Sequence, residues 1–453
     1  MFALSELASA LPSTGSFSTY AEVGIGRWAG FTSGWLYWAM LIMVLGMEIT
    51  GAAGIFVLWF PSVPQWVVAL VIVVVLGGVN LLAARDFGEV EAWLAGIKVT
   101  AIVAFLLIGI GLVTGLVPGR TESVASTVLG HGGFAPNGFS GIAVGLLAII
   151  TSFGGIEIVT IAAAEAEDAQ SAMAAAIRSV IGRILVFYVG SVVLLICLLQ
   201  WDSKEMATNP FAAVLEMAGI PAVARIMEAV VFIALVSAFS ANIYASSRMA
   251  YSLSARGMGL RWLLGRDAGS LGDVVEAGAV APGAHGVATG ESGSAGSAGS
   301  VAGLGGAVGG GEDLLDLVAG EGAGGDIALG RTPKRAVWVS IGFALVSVAL
   351  NWLLPETLLG ILINAIGMVL LIIWVFILVA QVRLHPVLEA EGAIALRAPG
   401  WPWLPWVVLA SLVGVAGLMA WNPVARGQLI AMTVLTLIII GLFFLKESLR
   451  PRR

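Results

Sequence analysis

Apolar residues gather into ten long runs, at about 31–58, 66–84, 91–116, 141–163, 181–200, 222–248, 335–354, 358–381, 403–421 and 428–445. Most come close to the roughly 20 residues a helix needs to cross a hydrocarbon core ~30 Å thick. Clusters of Pro, Gly, Asn or charge separate most of them, for example Pro61-Ser-Val-Pro64 and Asn209-Pro210. Many tryptophans, among them Trp35, Trp59, Trp66, Trp93, Trp201, Trp352 and Trp421, fall near run ends, where an interfacial aromatic belt accounts for them. The pattern predicts an all-α polytopic membrane protein with about ten transmembrane helices.

The fourth run breaks its own pattern. Within Ala148-Ile-Ile-Thr-Ser-Phe-Gly-Gly-Ile-Glu157, the pair Gly154-Gly155 interrupts a spanning helix and an acid follows at once. Backbone groups freed from a helix in lipid must be buried in protein or face a cavity. A carboxylate at that depth costs on the order of 2.5–3.5 kcal/mol on insertion scales unless it is paired. The stretch therefore reads either as a site or as a kinked packing helix whose Glu157 bonds a neighbour.

Charge sets the orientation. With residue 1 inside, eighteen of the 22 Lys and Arg residues fall on inner loops and inner span ends. The outer side keeps Arg120, Lys204, Arg225 and Arg426. This positive-inside bias places both termini in the cytoplasm, as an even number of spans requires. Met1 opens directly into Phe-Ala-Leu-Ser-Glu-Leu-Ala, without a basic region or a small-residue cleavage pattern, so no signal peptide is expected.

Composition agrees with the membrane reading: 59% of the 453 residues are hydrophobic and 11% charged, where a soluble domain carries about 25% charged. The single cysteine, Cys197, excludes a disulfide framework. The histidines His131, His285 and His385 lie far apart and read as loop residues, so neither a zinc nor a haem site is expected. No HExxH, Walker or GxSxG motif occurs, which argues against an enzyme.

The segment 267–330 differs in kind. It has no Lys or Arg, nine acidic residues and a tract such as Glu291-Ser-Gly-Ser-Ala-Gly-Ser-Ala-Gly-Ser300. Such a composition buries too little apolar surface to offset the entropy of ordering, so a flexible acidic cytoplasmic loop is expected. It divides the chain into membrane helices 1–266 and a second set, 331–453, ending in a short basic tail. The run Glu312-Asp-Leu-Leu-Asp-Leu-Val318 could form a helical turn or dock a partner; otherwise the loop is a tether.

Few ionisable groups lie away from span ends. They are Glu48, Glu157 and Lys98, the last within Ala95-Gly-Ile-Lys-Val-Thr100. A buried lysine or carboxylate can exchange a proton near neutral pH. Lys98 could instead snorkel to the cytoplasmic interface, and either glutamate could simply bond a neighbouring helix. In Val236-Ser-Ala-Phe-Ser-Ala-Asn-Ile-Tyr244, Ser237, Ser240 and Tyr244 recur at three- and four-residue spacing and form one polar stripe. The stripe could line a path or bond other helices. Asn364 is a further deep polar group.

Several stretches resemble the amino acid permease family of the amino acid–polyamine–organocation superfamily. They are Met1-Phe-Ala-Leu-Ser-Glu-Leu-Ala8 with Gly15-Ser-Phe-Ser-Thr-Tyr-Ala21, Gly30-Phe-Thr-Ser-Gly-Trp-Leu-Tyr-Trp38, Phe87-Gly-Glu-Val-Glu-Ala-Trp93, Ser152-Phe-Gly-Gly-Ile-Glu157 with Ala164-Glu-Ala166, Asn209-Pro-Phe211 and Ser247-Arg-Met249. The resemblance implies a five-plus-five inverted repeat in which the first and sixth helices break at mid-membrane around the substrate. It makes 141–163 the sixth helix and implies substrate binding by Ser152, Phe153, Gly154, Gly155, Ile156 and Glu157, with Ser237 and Ser240 facing the pathway. Lys98 matches a fifth-helix lysine that replaces a sodium ion in proton-coupled relatives, and with Glu48 it is the proton-coupling candidate. The family's first helix has no counterpart here, so Met1 falls in a partial second helix, read as a mis-assigned start.

The expected function is a secondary active transporter that imports amino acids across the plasma (inner) membrane by alternating access, driven by protons. Its partners are then the amino acid, protons and the lipid bilayer, with no cofactor and no nucleic acid. The other reading is an N-terminally truncated, non-transporting remnant or scaffold that presents the acidic loop.

Overall fold

The computed structural model describes residues 1–11, 16–82, 87–157, 169–267 and 333–449, except 121, 131, 134, 221, 355–356 and 422. Residues 268–330 of the acidic loop, the 158–163 end of the fourth run and the motif at 164–166 lie outside the described residues.

The described chain is mostly helix. Two short helices, α1 (Phe2–Ala10) and α2 (Phe17–Gly24), precede the 33-residue α3 (Arg27–Trp59). Then come α4 (Gln65–Leu82), α5 (Phe87–Thr114), α6 (Val124–Leu129) and α7 (Gly138–Ser152). Helix α8 (Ala169–Arg183) runs through a π-helical stretch at Ile184–Val189 into α9 (Gly190–Leu198). Two short helices, α10 (Lys204–Thr208) and α11 (Pro210–Met217), lead to α12 (Val223–Ala255) and a 3-10 turn at Arg261–Asp267. The second set is α13 (Lys334–Leu353), α14 (Leu358–Ala390), α15 (Trp403–Trp421) and α16 (Pro423–Ser448). Among the described residues, eight helices are long and apolar enough to cross a membrane, and the apolar stretch of α4, Gln65–Leu81, is slightly shorter.

The packing centre is α3, against which α12, α14 and α2 make the most extensive contacts. In lipid the helices gain little from hydrophobicity alone, so close backbone approach and buried polar bonds decide which faces meet. Small residues supply the approach. A Cβ built on Gly30 would lie 2.6 Å from Glu22 Cβ and 2.9 Å from the Ser18 carbonyl oxygen, so α2 rests directly on the α3 backbone. At Gly34 the same construction meets Leu253 Cδ2 of α12 at 2.5 Å.

Two expectations change. The run ending near 381 continues to Ala390, through Pro386. His385 reads as a loop residue, yet its side chain, like that of Gln381, is fully buried inside α14. His385 is therefore a core residue and not a loop histidine. The reason is a partner remote in sequence, Glu6 of α1, which accepts hydrogen bonds from both.

The α2–α3 contact makes a stability prediction. Gly30→Leu should destabilise the protein by about 1–3 kcal/mol, because the neighbouring atoms include backbone that cannot give way. Gly78→Ala in α4, where a new Cβ meets nothing within 4 Å, is the control. Thermal unfolding in detergent compares them, and equal midpoints would mean α2 does not rest on α3 this closely.

Candidate functional site

Helix α7 ends where the sequence pattern breaks. After Ser152 the chain turns, with the Phe153 N–H donating to Ile150 O at 3.1 Å and the Gly154 N–H to Thr151 O at 3.0 Å. Gly155 adopts φ +94°, a conformation that strains any residue with a Cβ. Gly154 faces α14 so closely that a Cβ would lie 2.8 Å from Leu370 Cδ1. The Gly155 N–H, freed from the helix, donates to Glu157 Oε1 at 3.1 Å. Glu157 is buried, with the Tyr37 hydroxyl of α3 close enough to interact with its carboxylate. Phe153 meets Tyr188 edge-on at 5.7 Å, Ser152 is exposed and Ile156 is half-buried. Thr151 Oγ1 donates to Ile363 O of α14 at 2.8 Å and fixes the end of the helix.

A second polar group gathers on α12, whose side chains reach three neighbouring helices. Lys98 Nζ of α5 donates to Ser237 Oγ at 2.8 Å. Asn80 Nδ2 of α4 donates to Ser240 Oγ at 2.7 Å. Asn242 Nδ2 donates to Glu48 Oε1 of α3 at 2.8 Å. The other oxygen of the buried Glu48 carboxylate has no hydrogen-bond partner among the described residues, and the Lys98 ammonium is near enough to act on the carboxylate electrostatically. Glu48, Lys98, Ser237 and Asn242 therefore form one polar cluster where α3, α5 and α12 meet.

The structure brings some of the sequence candidates together and keeps others apart. Lys98 is half-buried and turns to Ser237, the inward alternative to snorkelling. Ser237 and Ser240 serve different helices, α5 and α4. Tyr244 leaves the stripe altogether: Arg248 lies over its ring, 3.3 Å from the centroid. Asn364 is half-buried in α14. The break at α7 and the α12 cluster are joined through α3, on which Tyr37 and Glu48 lie about 16 Å apart along the axis. Sequence reasoning passed over Tyr37, Asn80 and Asn242. An asparagine within an apolar run was the available signal for the latter two, since a buried amide demands partners.

Eight helices long and apolar enough to cross a membrane among the described residues, with buried ionisable side chains between them, define a polytopic membrane protein. The chain belongs to the amino acid permease family: the family model, Amino acid permease, matches residues 1–263 and 324–450. It is 39% identical, over 99% of its length and 85% of the relative's, to an aromatic amino acid transport protein, AroP, of Corynebacterium glutamicum. It is 35% identical to a gamma-aminobutyric acid permease of Escherichia coli and 32% identical to one of Bacillus subtilis, each over 96% of this chain and 81% of the relative. It is thus a multi-pass membrane protein of amino acid transport.

The geometry of the break predicts that Gly155→Val lowers amino acid uptake about tenfold or more, since the strain at this φ is about 1–3 kcal/mol and the turn must deform to relieve it. Uptake into proteoliposomes, at matched protein content, measures this. Undiminished uptake would show that the turn is a packing detail.

Proposed function

We propose that this protein is a proton-coupled secondary transporter that imports amino acids across the plasma (inner) membrane by alternating access, with both termini in the cytoplasm. The observation that carries the reading is the Lys98–Ser237 hydrogen bond beside the Glu48–Asn242 pair. A lysine held inside the bundle by a neutral hydroxyl, with a buried carboxylate nearby, is a site at which gain or loss of a proton changes the forces between helices. With its proton, Lys98 holds α5 to α12 and balances Glu48. Without it, the carboxylate faces that contact uncompensated, and α5 and α12 lose an attractive charge. Intramembrane ionisable groups arranged in this way mark ion and proton pathways.

The substrate site of this reading is the stretch from Ser152 to Glu157, with Ser237 and Ser240 facing the pathway. Freed backbone N–H groups at a broken helix suit the carboxylate of an amino acid, and freed carbonyls suit its ammonium. Phe153 and the glycines add no charge for a charged side chain to meet, which favours neutral or aromatic substrates. The relatives named for aromatic amino acids and for gamma-aminobutyric acid define the compounds to try first.

Labelled phenylalanine and γ-aminobutyrate, supplied to proteoliposomes with and without an inward proton gradient, test this reading. Accumulation of at least one, dependent on the gradient, is the expected result, and accumulation indifferent to the gradient removes the proton coupling. Lys98→Ala should abolish gradient-driven accumulation. Wild-type accumulation in that variant would show that Lys98 has no part in coupling.

A further inference from the structure

The opening motif Met1-Phe-Ala-Leu-Ser-Glu-Leu-Ala8 is left unused by the substrate and proton sites, yet it carries a buried carboxylate bonded at both of its oxygens. Glu6 of α1 is fully buried. Its Oε1 accepts from Gln381 Nε2 at 3.0 Å and from the ring Nδ1 of His385 at 2.7 Å, both on α14. Its Oε2 accepts from the Ala398 backbone N–H at 2.6 Å, in the connection that follows α14. The imidazole is itself fixed. It stacks on Trp401 with centroids 3.7 Å apart, and its Nε2 lies 3.5 Å from Glu389 Oε2, while Arg397 holds Glu389 Oε1 at 2.8 Å.

Separating α1 from α14 would strip these donors from a buried carboxylate, and an uncompensated buried charge is strongly destabilising. The contact of α14 with α3 and α2 includes a different kind of surface. Phe376 meets Trp28 edge-on at 5.9 Å, and Gly24 lets Ala380 approach so closely that a Cβ would be 3.1 Å from the Ala380 backbone. Small and apolar surfaces of this kind slide without leaving a charge unpartnered, as in shear between packed helices. On its other side α14 is bonded to the broken helix through Thr151 and Ile363.

We infer that Glu6 is a positioning residue that locks α1, α14 and the connection at 391–402 into one rigid body, and that this body, carrying the α7 break with it, moves against α3 during transport. The inference rests on the alternating-access reading, but the distances that test it are read without any transport assay.

The test uses the full chain with Cys197→Ser, reconstituted in lipid nanodiscs and carrying pairs of spin labels. One pair replaces Phe2 and Arg383 and spans the α1–α14 joint; the other replaces Arg27 and Arg383 and spans the α3–α14 contact. Distances are measured at pH 5.5 and pH 8, with and without phenylalanine. The expected result is a single narrow Phe2–Arg383 distribution under every condition, with an Arg27–Arg383 distribution that changes between conditions. A Phe2–Arg383 distance that changes as much, or an Arg27–Arg383 distance that never changes, overturns the inference. Glu6→Gln, or His385→Gln where the first variant fails to fold, should broaden the Phe2–Arg383 distribution, and an unbroadened distribution in a folded variant overturns it as well. In uptake by wild-type and variant proteins at equal membrane content, the expected split is a Vmax lowered about tenfold with KM within about twofold, because the joint touches no substrate. A wild type that transports nothing refutes the proposed function and leaves the distance criteria standing.

Discussion

A carboxylate inside a lipid-embedded bundle must be met by a donor from another element, and this requirement decides which helices touch. Glu6, Glu48 and Glu157 are buried and Glu228 is half-buried; each draws its partners differently. Glu48 pulls Asn242 of α12 onto α3. Glu228 of α12 accepts from Trp59 Nε1 at 2.8 Å and from Asn209 Nδ2 at 3.3 Å, so it ties the C-terminal end of α3 to the cap of α11. At the other end Arg256 donates to Glu22 at 3.0 Å and also to Ser18, which ties α12 to α2. The α3–α12 pair is thus pinned at its middle and near both ends by polar bonds, with small residues such as Gly34 filling the distance between. Glu157 draws on both kinds of partner, the N–H that its own turn exposes and the Tyr37 hydroxyl of α3.

The helices were largely legible in the sequence because lipid makes their signal simple. A run of roughly 20 apolar residues has few alternatives to a spanning helix. The break after Ser152 was legible for the same reason, since two adjacent glycines and an acid have no cheap place in such a run. What the sequence did not disclose was pairing. That Asn80 bonds Ser240 while Lys98 bonds Ser237 depends on how α4 and α5 are rotated about their axes and on which side of α12 each lies. A three- and four-residue spacing groups Ser237, Ser240 and Tyr244 on one face, but neighbours on that face divide them. His385 shows the error in its sharpest form. Together with Gln381 and Arg383 it has the look of a polar span end, and only a carboxylate more than 370 positions earlier makes two of the three core residues.

Family membership and geometry bear on different parts of the functional reading. Relatives at 32–39% identity over nearly the whole chain fix the class of cargo, because they are permeases of amino acids and of gamma-aminobutyric acid. They do not fix how energy enters the cycle. That question turns on particular side chains, and here the bond from Lys98 to a neutral hydroxyl matters more than overall similarity.

The polar contacts also differ in what they allow. Glu6 receives three hydrogen bonds, two from α14 and one from the following connection, inside a fully buried contact, so opening that contact leaves a full charge unpartnered. Lys98 donates to a neutral hydroxyl, Ser237 Oγ, and is only half-buried, so remaking that bond strips no donor from a charged partner. A machine that alternates between two shapes needs both kinds: joints too costly to open, and contacts cheap enough to remake in every cycle. Burial and donor count separate the two kinds. By that measure α1 and α14 form a joint, whereas the α5–α12 contact at Lys98 is one that can be remade. On the proposed reading a proton acts at the second kind of contact, where the charge on Lys98 adds to the apolar packing that holds α5 to α12.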